Sequence, residues 1–309
     1  MGVLAAEQTP TPLVSLLRCP ACGGEVSMGE TEVICSTETH RFPVVEGIPV
    51  MTDEEALRAD PHYERQRTYF AAEFAGYGRY ELEPWRTSYL RRLRSAGILD
   101  PDSGPLLDVG VGGSGYTVIE AARSGLDAVG CDLSFEAVAR ARAFAEDEGV
   151  AERTFWVCCS TEALPFAKES FGSVLAIAVY EHVPDDRAAW REAARVLRPG
   201  GQLWVTVPHA LRNVARVFRP SNRRHDRRLG HLRRYEAGEL TATAKSYGLT
   251  ARDIQFTAHS IKVLQLALTD WLPKRWRDSF WWWCERHDLR RDHAPRGAMH
   301  LSALFRPEQ

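Results

Sequence analysis

From residue 105 onward, short apolar runs alternate with longer segments whose apolar residues recur at helical spacing. The runs predict strands at 105–109, 126–131, 154–159, 173–179, 202–207, 249–256 and 298–305, and the segments between them predict helices at 114–123, 134–146, 185–198 and 236–247. Strands that alternate with helices usually form a parallel sheet with helices on both faces. We therefore expect an α/β, doubly wound domain that binds its ligands at the carboxyl ends of the strands.

The bend after the first predicted strand combines glycines with an acid. Gly110, Gly112 and Gly115 have the spacing G-x-G-x-x-G, which lets the backbone approach a nucleotide. Asp108 stands two residues before the first of them, and Asp132 ends the second strand, where a carboxylate can accept hydrogen bonds from ribose hydroxyls. The charge of Asp108 would oppose a pyrophosphate but favour an ammonium group, so the bend favours S-adenosylmethionine over a nicotinamide dinucleotide.

Length and composition limit the class of protein. The 309 residues allow one large α/β core and a small appended module, and a net charge of −2 offers no global attraction for nucleic acid. The start of the chain lacks a basic segment followed by a long apolar stretch, and no window has about twenty uninterrupted apolar residues, so we expect a cytoplasmic protein. Four of the seven cysteines, Cys131, Cys158, Cys159 and Cys284, lie in or near apolar runs and predict buried side chains without disulfides.

The other three cysteines lie near the amino terminus and predict a metal site. Cys19 and Cys22 form a knuckle with glycines after it, and Cys35 follows a strand-like segment. Imidazole binds zinc more readily than a lone carboxylate in a sulfur-rich site, so His40 is favoured over Glu38 as the fourth ligand. The predicted zinc is structural, in a module at 1–52. The alternative is that the fourth ligand has been lost and apolar contacts alone hold the module together.

Several further motifs occur in order and give the chain a resemblance. They are Ser160-Thr161-Glu162-Ala163-Leu164-Pro165-Phe166, Tyr180-Glu181-His182-Val183-Pro184-Asp185 and Arg195-Val196-Leu197-Arg198-Pro199-Gly200-Gly201. With the glycine bend, the segment 105–208 resembles a class I S-adenosylmethionine-dependent methyltransferase, and 18–51 resembles a Trm112-like zinc-ribbon module. The resemblance implies a seven-stranded, mostly parallel Rossmann-like sheet whose last strand is antiparallel. It also implies cofactor contacts from Leu133, Ser160, Thr161, Glu162 and Val179, in addition to Asp108, Gly110, Gly112, Gly115 and Asp132.

The sequence departs from the pattern of that family at two positions. Ser160 stands where the family usually has an acid that accepts a hydrogen bond from the adenine amino group, and Gly172 stands where an acid is common before the fourth strand. A hydroxyl or the neighbouring backbone can still accept the adenine hydrogen bond, so the prediction of the cofactor stands.

The resemblance also predicts how the rest of the chain is divided. A helical lid or linker spans 53–100, with a polar, acidic linker at 52–58 and two helices between 63 and 98 that are separated at Gly76-Tyr77-Gly78. The methyltransferase domain spans 101–309, with insertions on the substrate side at about 209–235 and 260–297. Tyr77 and Tyr80 are candidates to contact the methionine carboxylate or the substrate; the alternative is that they pack the lid onto the sheet.

Candidates for acid–base chemistry follow the fourth and fifth strands. Methyl transfer needs alignment, exclusion of water and, for a hydroxyl or acidic carbon, a base, because a neutral thioether leaves. Glu181 and His182 follow the fourth strand and His209 follows the fifth, with His209 slightly preferred as the base and His182 alternatively shaping its loop. His231 and Tyr235 lie in a segment that resembles an acceptor-binding loop and are predicted to bind substrate.

Two unusual surfaces leave alternatives open. The arginines Arg212, Arg216, Arg219, Arg223, Arg224, Arg227 and Arg228 suit an anionic partner or form a solvated face. Trp271 and Trp276, followed by four aromatic residues at 280–283, lie among lysine and arginine. They indicate an acceptor pocket, a homodimer contact, a surface resting on a membrane, or plain core packing.

These observations predict a methyltransferase that acts on oxygen, nitrogen or carbon of a small, largely apolar biosynthetic acceptor. A first alternative is an rRNA or tRNA base methyltransferase. The run of arginines would favour it, and the slightly negative net charge of the chain opposes it. A second is a protein of the same fold that binds the cofactor without transferring a methyl group, such as a pericyclase-like enzyme or a partner protein.

Overall fold

The structure, a computed structural model, describes residues 12–37, 39–259 and 272–308. Glu38, Trp271 and the first part of the predicted insertion at 260–297 lie outside the described residues. Among the residues described, no helix is long and apolar enough to cross a membrane.

The amino-terminal module contains a small antiparallel sheet. Its strands are β1 (Val26–Met28), β2 (Glu32–Cys35), β3 (Arg41–Val45) and β4 (Ile48–Pro49), and they pair in that order. The module docks on the large domain through backbone: the amide of Met51 donates to the carbonyl of Cys158 over 2.8 Å, and that of Arg18 donates to Pro165 over 2.9 Å. The cysteines are therefore held on a sheet that is attached to the edge of the main domain.

The main sheet has seven strands in the order β10-β11-β9-β8-β5-β6-β7. The strands are β5 (Leu106–Val109), β6 (Ala128–Asp132), β7 (Thr154–Cys158), β8 (Phe171–Ile177), β9 (Leu197–Pro208), β10 (Leu249–Thr257) and β11 (His300–Pro307). The strands β5 to β9 are parallel, whereas β11 runs antiparallel to both of its neighbours. The predicted fold class, a doubly wound Rossmann-like sheet with a small zinc-ribbon module, is confirmed.

Nine described helices surround this sheet or precede it. They are α1 (Glu54–Ala59), α2 (Pro61–Ala75), α3 (Pro84–Ser95), α4 (Tyr116–Arg123), α5 (Phe135–Asp147), α6 (Asp186–Val196), α7 (Arg219–Leu229), α8 (Ala237–Ser246) and α9 (Lys274–Leu289), and short 3₁₀ helices cover Pro12–Leu16, Pro101–Ser103, Ala151–Arg153 and Arg216–Phe218. Ser134 caps α5 by accepting from the amide of Ala137, as predicted, and Asp185 caps α6 by accepting from Ala188.

Two segments differ from the prediction. The expected linker at 52–58 contains α1, because Leu57 is buried and the Glu54 carboxylate pairs with Arg67 of α2 at 3.0 Å. The fifth strand starts five residues earlier than the apolar run at 202–207. Leu197 already pairs with Phe171 of β8 before the turn at Pro199-Gly200-Gly201, and the ladder resumes at Gln202.

Two apolar clusters fill the opposite faces of the sheet. One contains Leu107, Val129 and Val205, and the other contains Leu106, Ala128 and Trp204, so neighbouring residues of each strand point to opposite faces. A strand that is buried on both faces has few polar positions to spare. Two acids that this sheet retains, Asp108 and Asp132, lie near its carboxyl edge.

Candidate active site

A cavity of about 200 Å³ lies at the carboxyl ends of β5, β6, β7 and β8, covered by α2. Its walls are formed by Tyr63, Gln66, Phe70, Phe74, Gly110, Gly112, Asp132, Leu133, Ser160, Thr161, Glu162, Ala178, Val179, His182 and Val183. Eight of these fifteen residues had been predicted as cofactor contacts, and His182 had been predicted as a catalytic candidate. Strand ends separated by up to 70 residues in sequence therefore converge on one site.

The glycine bend forms one wall by close backbone approach. Gly110 has φ = 69°, a conformation that disfavours other residues, and a Cβ there would lie 2.5 Å from Cγ2 of Val179. The amide of Gly112 donates to Oδ2 of Asp132 over 3.0 Å, and the amide of Ser134 donates to Oδ1 over 3.0 Å. Asp132 is thus oriented by two backbone donors, and its pKa is raised by burial.

Asp108 lies beneath this bend and is 3% exposed. The hydroxyl of Thr117 on α4 donates to its carboxylate. The pKa of Asp108 is raised to about 7, mainly because the group is buried; the hydrogen bond from Thr117 opposes this shift and the nearby charge of Asp132 contributes to it. A cation placed beside Asp108 would therefore stabilise its ionised form.

Gly115 is not among the residues that line the cavity. A Cβ at this position would lie 2.8 Å from the Cβ of Ala141 and 2.8 Å from the ring of Trp156. Its lack of a side chain allows α4 to start close to α5 and β7, as expected of the third glycine in this type of bend.

The opposite wall is a loop after β7 that is held by Glu162. The amide of Glu162 donates to the hydroxyl of Ser160 over 3.2 Å, and the carboxylate of Glu162 accepts from the amide of Asp185 over 2.9 Å. The hydroxyl of Tyr63 on α2 also donates to this carboxylate. Glu162 therefore ties the loop after β7 to the covering helix and to the start of α6.

In this chain, residue 172 is a glycine for a steric reason. A Cβ on Gly172 would collide with the carbonyl group of Ser103. The turn at 103–104 therefore occupies the space in which the family commonly places an acidic side chain. This departure lies away from the cavity, at the opposite end of β8.

Glu181 and His182 follow β8 and the strained residue Ala178, which has φ = 57° and lines the cavity. Glu181 is 1% exposed, and burial raises its pKa to about 8. Burial, and then the neighbouring His231 and His62, lower the pKa of His182 to about 3. The imidazole of His182 is consequently neutral at physiological pH.

The segment 231–235 crosses over the loop that carries Glu181 and His182. The ring centroids of His182 and His231 are 4.7 Å apart, whereas the hydroxyl of Tyr235 donates to Oδ2 of Asp186 over 2.7 Å. His231 thus joins the predicted catalytic pair at the edge of the cavity. Tyr235 is 3% exposed and connects the segment to α6.

His209, the other predicted base, lies outside the residues that line the cavity in the described part of the chain. It is 1% exposed, and its Nε2 lies 2.9 Å from the side-chain amide of Asn213. Glu236 lies 3.9 Å from the same nitrogen. Burial lowers the pKa of His209, so this histidine too is neutral at physiological pH.

Tyr77 and Tyr80 line a second cavity of about 650 Å³, next to α3 and α9. The guanidinium of Arg86 lies 5.6 Å from the ring centroid of Tyr77, and the hydroxyl of Tyr80 donates to Glu120 over 3.2 Å. The structure therefore places these two tyrosines outside the lining of the first cavity, which contains eight of the predicted cofactor residues and His182.

Sequence reasoning missed the residues that α2 contributes, namely Tyr63, Gln66, Phe70 and Phe74. The helical spacing of Phe70 and Phe74 was visible in the sequence, but spacing alone does not reveal what lies opposite a helix face. Their rings stack with centroids 5.7 Å apart and cover the bend at Gly112 and Gly113.

The four predicted metal ligands of the amino-terminal module also come together. One ligand atom each from Cys19, Cys22, Cys35 and His40 lies within 4.8 Å of the others. The Sγ atoms of Cys22 and Cys35 are 3.4 Å apart, and Sγ of Cys19 is 3.6 Å from Nδ1 of His40. This small four-stranded sheet with its sulfur-rich cluster fits a zinc ribbon.

Comparisons with known proteins agree with this architecture. Residues 107–205 match a protein family described as a methyltransferase domain. A rice (Oryza sativa subsp. japonica) 24-methylenesterol C-methyltransferase 2 is 30% identical over 181 residues, which cover 57% of this chain and 45% of that protein. Other matched relatives are named as O- and N-methyltransferases. The chain spans about half the length of the curated relatives it matches.

Solved structures show the same fold at low sequence identity. A geranyl diphosphate C-methyltransferase from Streptomyces coelicolor A3(2) has a TM-score of 0.54 and 16% identity, covering 81% of this chain and 99% of that one. The [4+2]-cyclase SpnF has a TM-score of 0.54 and 20% identity, covering 84% and 98%. Residues 107–205 therefore match a methyltransferase domain family, and the solved structures share the fold of this chain.

Proposed function

We propose that the protein is an S-adenosylmethionine-dependent methyltransferase that acts on a small, largely apolar acceptor. The observation that carries this proposal is the convergence of Gly110, Gly112 and Asp132 on one cavity, with the buried acid Asp108 directly beneath the bend. The relatives named above, which methylate carbon, oxygen or nitrogen, support the same reaction class.

The residues present suit this cofactor. Asp132 would accept hydrogen bonds from the ribose hydroxyls, and Asp108 would neutralise the ammonium group of the methionine moiety. A side chain at residue 110 would fill the narrow gap between Gly110 and Val179. Because glycine has none, the backbone of the bend can approach the ligand. When bound, the cofactor supplies a methyl group on a positively charged sulfur, which leaves as a neutral thioether.

The loop after β7 would form the adenine side of the site. Ser160 replaces the acid that is usual in the family, and the carboxylate of Glu162 lies 3.3 Å from its hydroxyl. We infer that the hydroxyl of Ser160, with Leu133 and Thr161 beside it, provides the adenine contacts, while Glu162 keeps the loop in place. The three hydrogen bonds to Glu162 support the positioning role.

The cover over the cavity explains how water would be excluded. Phe70 and Phe74 from α2 and Val183 from the loop after β8 present apolar surface to the cavity. An acceptor with a large apolar part would bury that part against these side chains. Exclusion of water also strengthens electrostatic interactions at the reacting atoms.

The acceptor's reacting atom would lie at the corner formed by Glu181, His182 and His231. His182 lines the cavity and the other two are in reach of it, whereas His209 is engaged with Asn213 away from the lining. We therefore assign the polar contact with the acceptor to this corner and a role in holding the loops to His209. Tyr235 would have a similar holding role through Asp186.

The amino-terminal module would bind one structural zinc ion. Three thiolates and one imidazole form a complete tetrahedral set and leave no coordination position for a substrate. The module at 1–52 and the helical cover at 53–100 would then be separate units in front of the methyltransferase domain at 101–309.

Calorimetry with S-adenosylhomocysteine and NADH tests the cofactor assignment on the full-length protein. We expect heat from the former and none from the latter, with the Gly110→Ala variant losing binding at least tenfold. Binding of NADH but not of S-adenosylhomocysteine would overturn the proposal.

Transfer of a labelled methyl group tests the class of acceptor. The labelled donor is supplied with a small-molecule extract in one reaction and with bulk RNA in another. Label in extractable small molecules supports the proposal, whereas label only in RNA would identify an RNA methyltransferase. Conversion of an acceptor without consumption of the donor would identify a non-methyltransferase on this fold.

A further inference from the structure

Three potential metal ligands meet at the edge of the cofactor cavity. One ligand atom each from Glu181, His182 and His231 lies within 4.8 Å of the other two. The side chain of His231 is 8% exposed, and Glu181 is 1% exposed, so the group is largely shielded from solvent. His182 lines the cavity, which places the group beside the bound ligand.

Glu181 and His182 each carry a buried side-chain atom without a hydrogen-bond partner among the described residues. They are Oε2 of Glu181 and Nδ1 of His182, and both belong to groups that can bind a metal ion. Buried polar atoms are nearly always paired, because an unpaired one loses its hydration without compensation. A cation between the two residues would satisfy both atoms.

The third ligand, His231, is held as a metal-binding histidine usually is. Its Nδ1 lies 2.9 Å from Oδ1 of Asp226, which leaves Nε2 available as a ligand. Arg234 in turn holds Asp226 with two hydrogen bonds, of 2.7 and 2.8 Å. A carboxylate that orients the far nitrogen of an imidazole is the common outer contact of a metal-binding histidine.

The backbone fixes the two loops relative to one another. The amide of Leu232 donates to the carbonyl of Glu181 over 2.7 Å, and Arg233 donates to the carbonyl of Val183 over 2.6 Å. The three ligands are therefore brought together by the fold before any ion binds, which lowers the ordering cost of binding.

We propose that Glu181, His182 and His231 form a binding site for a divalent transition-metal ion, separate from the zinc ribbon. Two imidazoles and one carboxylate suit ions such as Mn²⁺, Fe²⁺, Co²⁺ or Zn²⁺ and leave coordination positions open. If the proposed function holds, a hydroxyl oxygen of the acceptor would take one of these positions, where the ion lowers its pKa and its proton passes to water. The oxygen would then bond to the methyl group as the bond from that methyl to the sulfur breaks, and S-adenosylhomocysteine would leave as a neutral thioether.

Cobalt titration of protein that holds a single equivalent of zinc, in the ribbon, tests the site without any assay of activity. The cysteine-rich ribbon retains zinc, so Co²⁺ bound at the new site should absorb in the visible range without the charge-transfer bands of thiolate ligands. We expect one equivalent of Co²⁺ per chain. The variants His182→Gln and His231→Gln should each weaken this binding more than tenfold.

Two further variants separate ligand geometry from general damage. Asp226→Asn should weaken Co²⁺ binding by about 10- to 100-fold, the usual range for loss of an outer-shell partner. His225→Gln changes a neighbouring histidine that is outside the cluster, and it should leave Co²⁺ affinity within twofold. Thermal unfolding of every variant without cobalt shows whether it folds.

Failure to bind Co²⁺ beyond the zinc already present would overturn the metal site, as would equal affinity in the wild-type protein and the two glutamine variants. If the wild-type protein binds Co²⁺ but does not bind S-adenosylhomocysteine, the result contradicts the proposed function and leaves the metal site standing. The two proposals can therefore fail separately.

Discussion

The imidazole rings of His182 and His231 lie with their centroids 4.7 Å apart and their planes at 82°. One ring follows the central strand β8, and the other belongs to the segment after α7. This contact joins a residue at the end of the central sheet to a residue of a later connecting segment. The proposed acceptor side of the site is thus assembled from two distant parts of the chain.

Asp108 should make cofactor binding depend on pH. Because burial raises its pKa to about 7, it is partly protonated at neutral pH, and only its ionised form attracts an ammonium group. Affinity for S-adenosylhomocysteine should therefore increase as the pH rises through about 7 and then level off. Calorimetry from roughly pH 5.5 to 8.5, a range that brackets this pKa, measures the effect.

Two variants check that Asp108 is the titrating group. Asp108→Asn should bind about 10- to 100-fold more weakly at high pH and lose this pH dependence, as expected for loss of a charged hydrogen bond. Thr117→Val removes a hydrogen bond that lowers the pKa of Asp108 and should shift the transition to higher pH. An unchanged pH profile in Asp108→Asn would exclude this residue.

The same pKa predicts a stability change in the ligand-free protein. The folded state holds the proton of Asp108 more tightly than the unfolded chain does, because the pKa is raised in the fold. Its stabilising contribution is therefore complete below about pH 4 and is lost as the pH rises through about 7. The free energy of unfolding in urea should fall less steeply over this range in Asp108→Asn than in the wild-type protein.

Gly110→Ala should destabilise the protein and abolish tight cofactor binding. The substitution places a methyl group 2.5 Å from Val179 in a residue with φ = 69°. We expect a loss of at least about 2 kcal/mol in the free energy of unfolding, because strain and collision add.

The control for this variant is Gly149→Ala. Gly149 has φ = 70°, but a Cβ there would have no atom within 4 Å, so only the backbone strain remains. It should lose about 1–2 kcal/mol and leave cofactor affinity unchanged. Adding Val179→Ala to Gly110→Ala should recover part of the lost stability. Equal losses in the two glycine variants would show that the collision is unimportant.

Removal of zinc should unfold the amino-terminal module and weaken the main domain. Metal analysis should find one tightly bound zinc per chain, and Cys22→Ser and His40→Gln should each reduce its occupancy. Since the module docks through Met51 and Cys158, chelation should also lower the melting temperature of the whole protein.

Glu38→Gln distinguishes the two candidates for the fourth ligand. Zinc occupancy should be unaffected by this substitution if His40 completes the site. Retention of zinc in His40→Gln with loss in Glu38→Gln would assign the ligand to Glu38 instead.

Arg92→Met should be strongly destabilising. The side chain of Arg92 is 3% exposed and lies 2.6 Å from the carboxylate of Asp292. It also lies 3.7 Å from the carboxylate of Asp288 on α9, a side chain that is 2% exposed. Removing one member of a buried ion pair leaves an uncompensated charge and costs about 3–5 kcal/mol. Arg58→Met removes a surface ion pair with Glu54 at 3.8 Å, in which the arginine is 74% exposed. It should lower the free energy of unfolding by less than about 1 kcal/mol. Similar losses in urea unfolding of the two variants would contradict this assignment.

The order of strands and helices, the glycine bend and the two strand-end acids were predictable from sequence because they depend on local patterns. Gly110, Asp108 and Asp132 are placed by the strands to which they are attached, and parallel strands bring their carboxyl ends to one edge. The clustering of the four predicted zinc ligands was predictable for a related reason, since four residues within a span of 22 must lie close together once a small ribbon forms.

Contacts between distant segments could be decided only by the tertiary structure. The resemblance predicted a helical lid, but the helical spacing of Phe70 and Phe74 did not show which of its side chains face the cavity. No local pattern placed His231 against His182 or His209 beside Asn213. Such contacts depend on how whole elements pack, on hydrogen bonds such as Leu232 to Glu181, and on the side of the sheet to which a connecting segment returns. The sequence therefore specified the framework and the probable cofactor chemistry, whereas packing between remote segments selected the residues that face the acceptor.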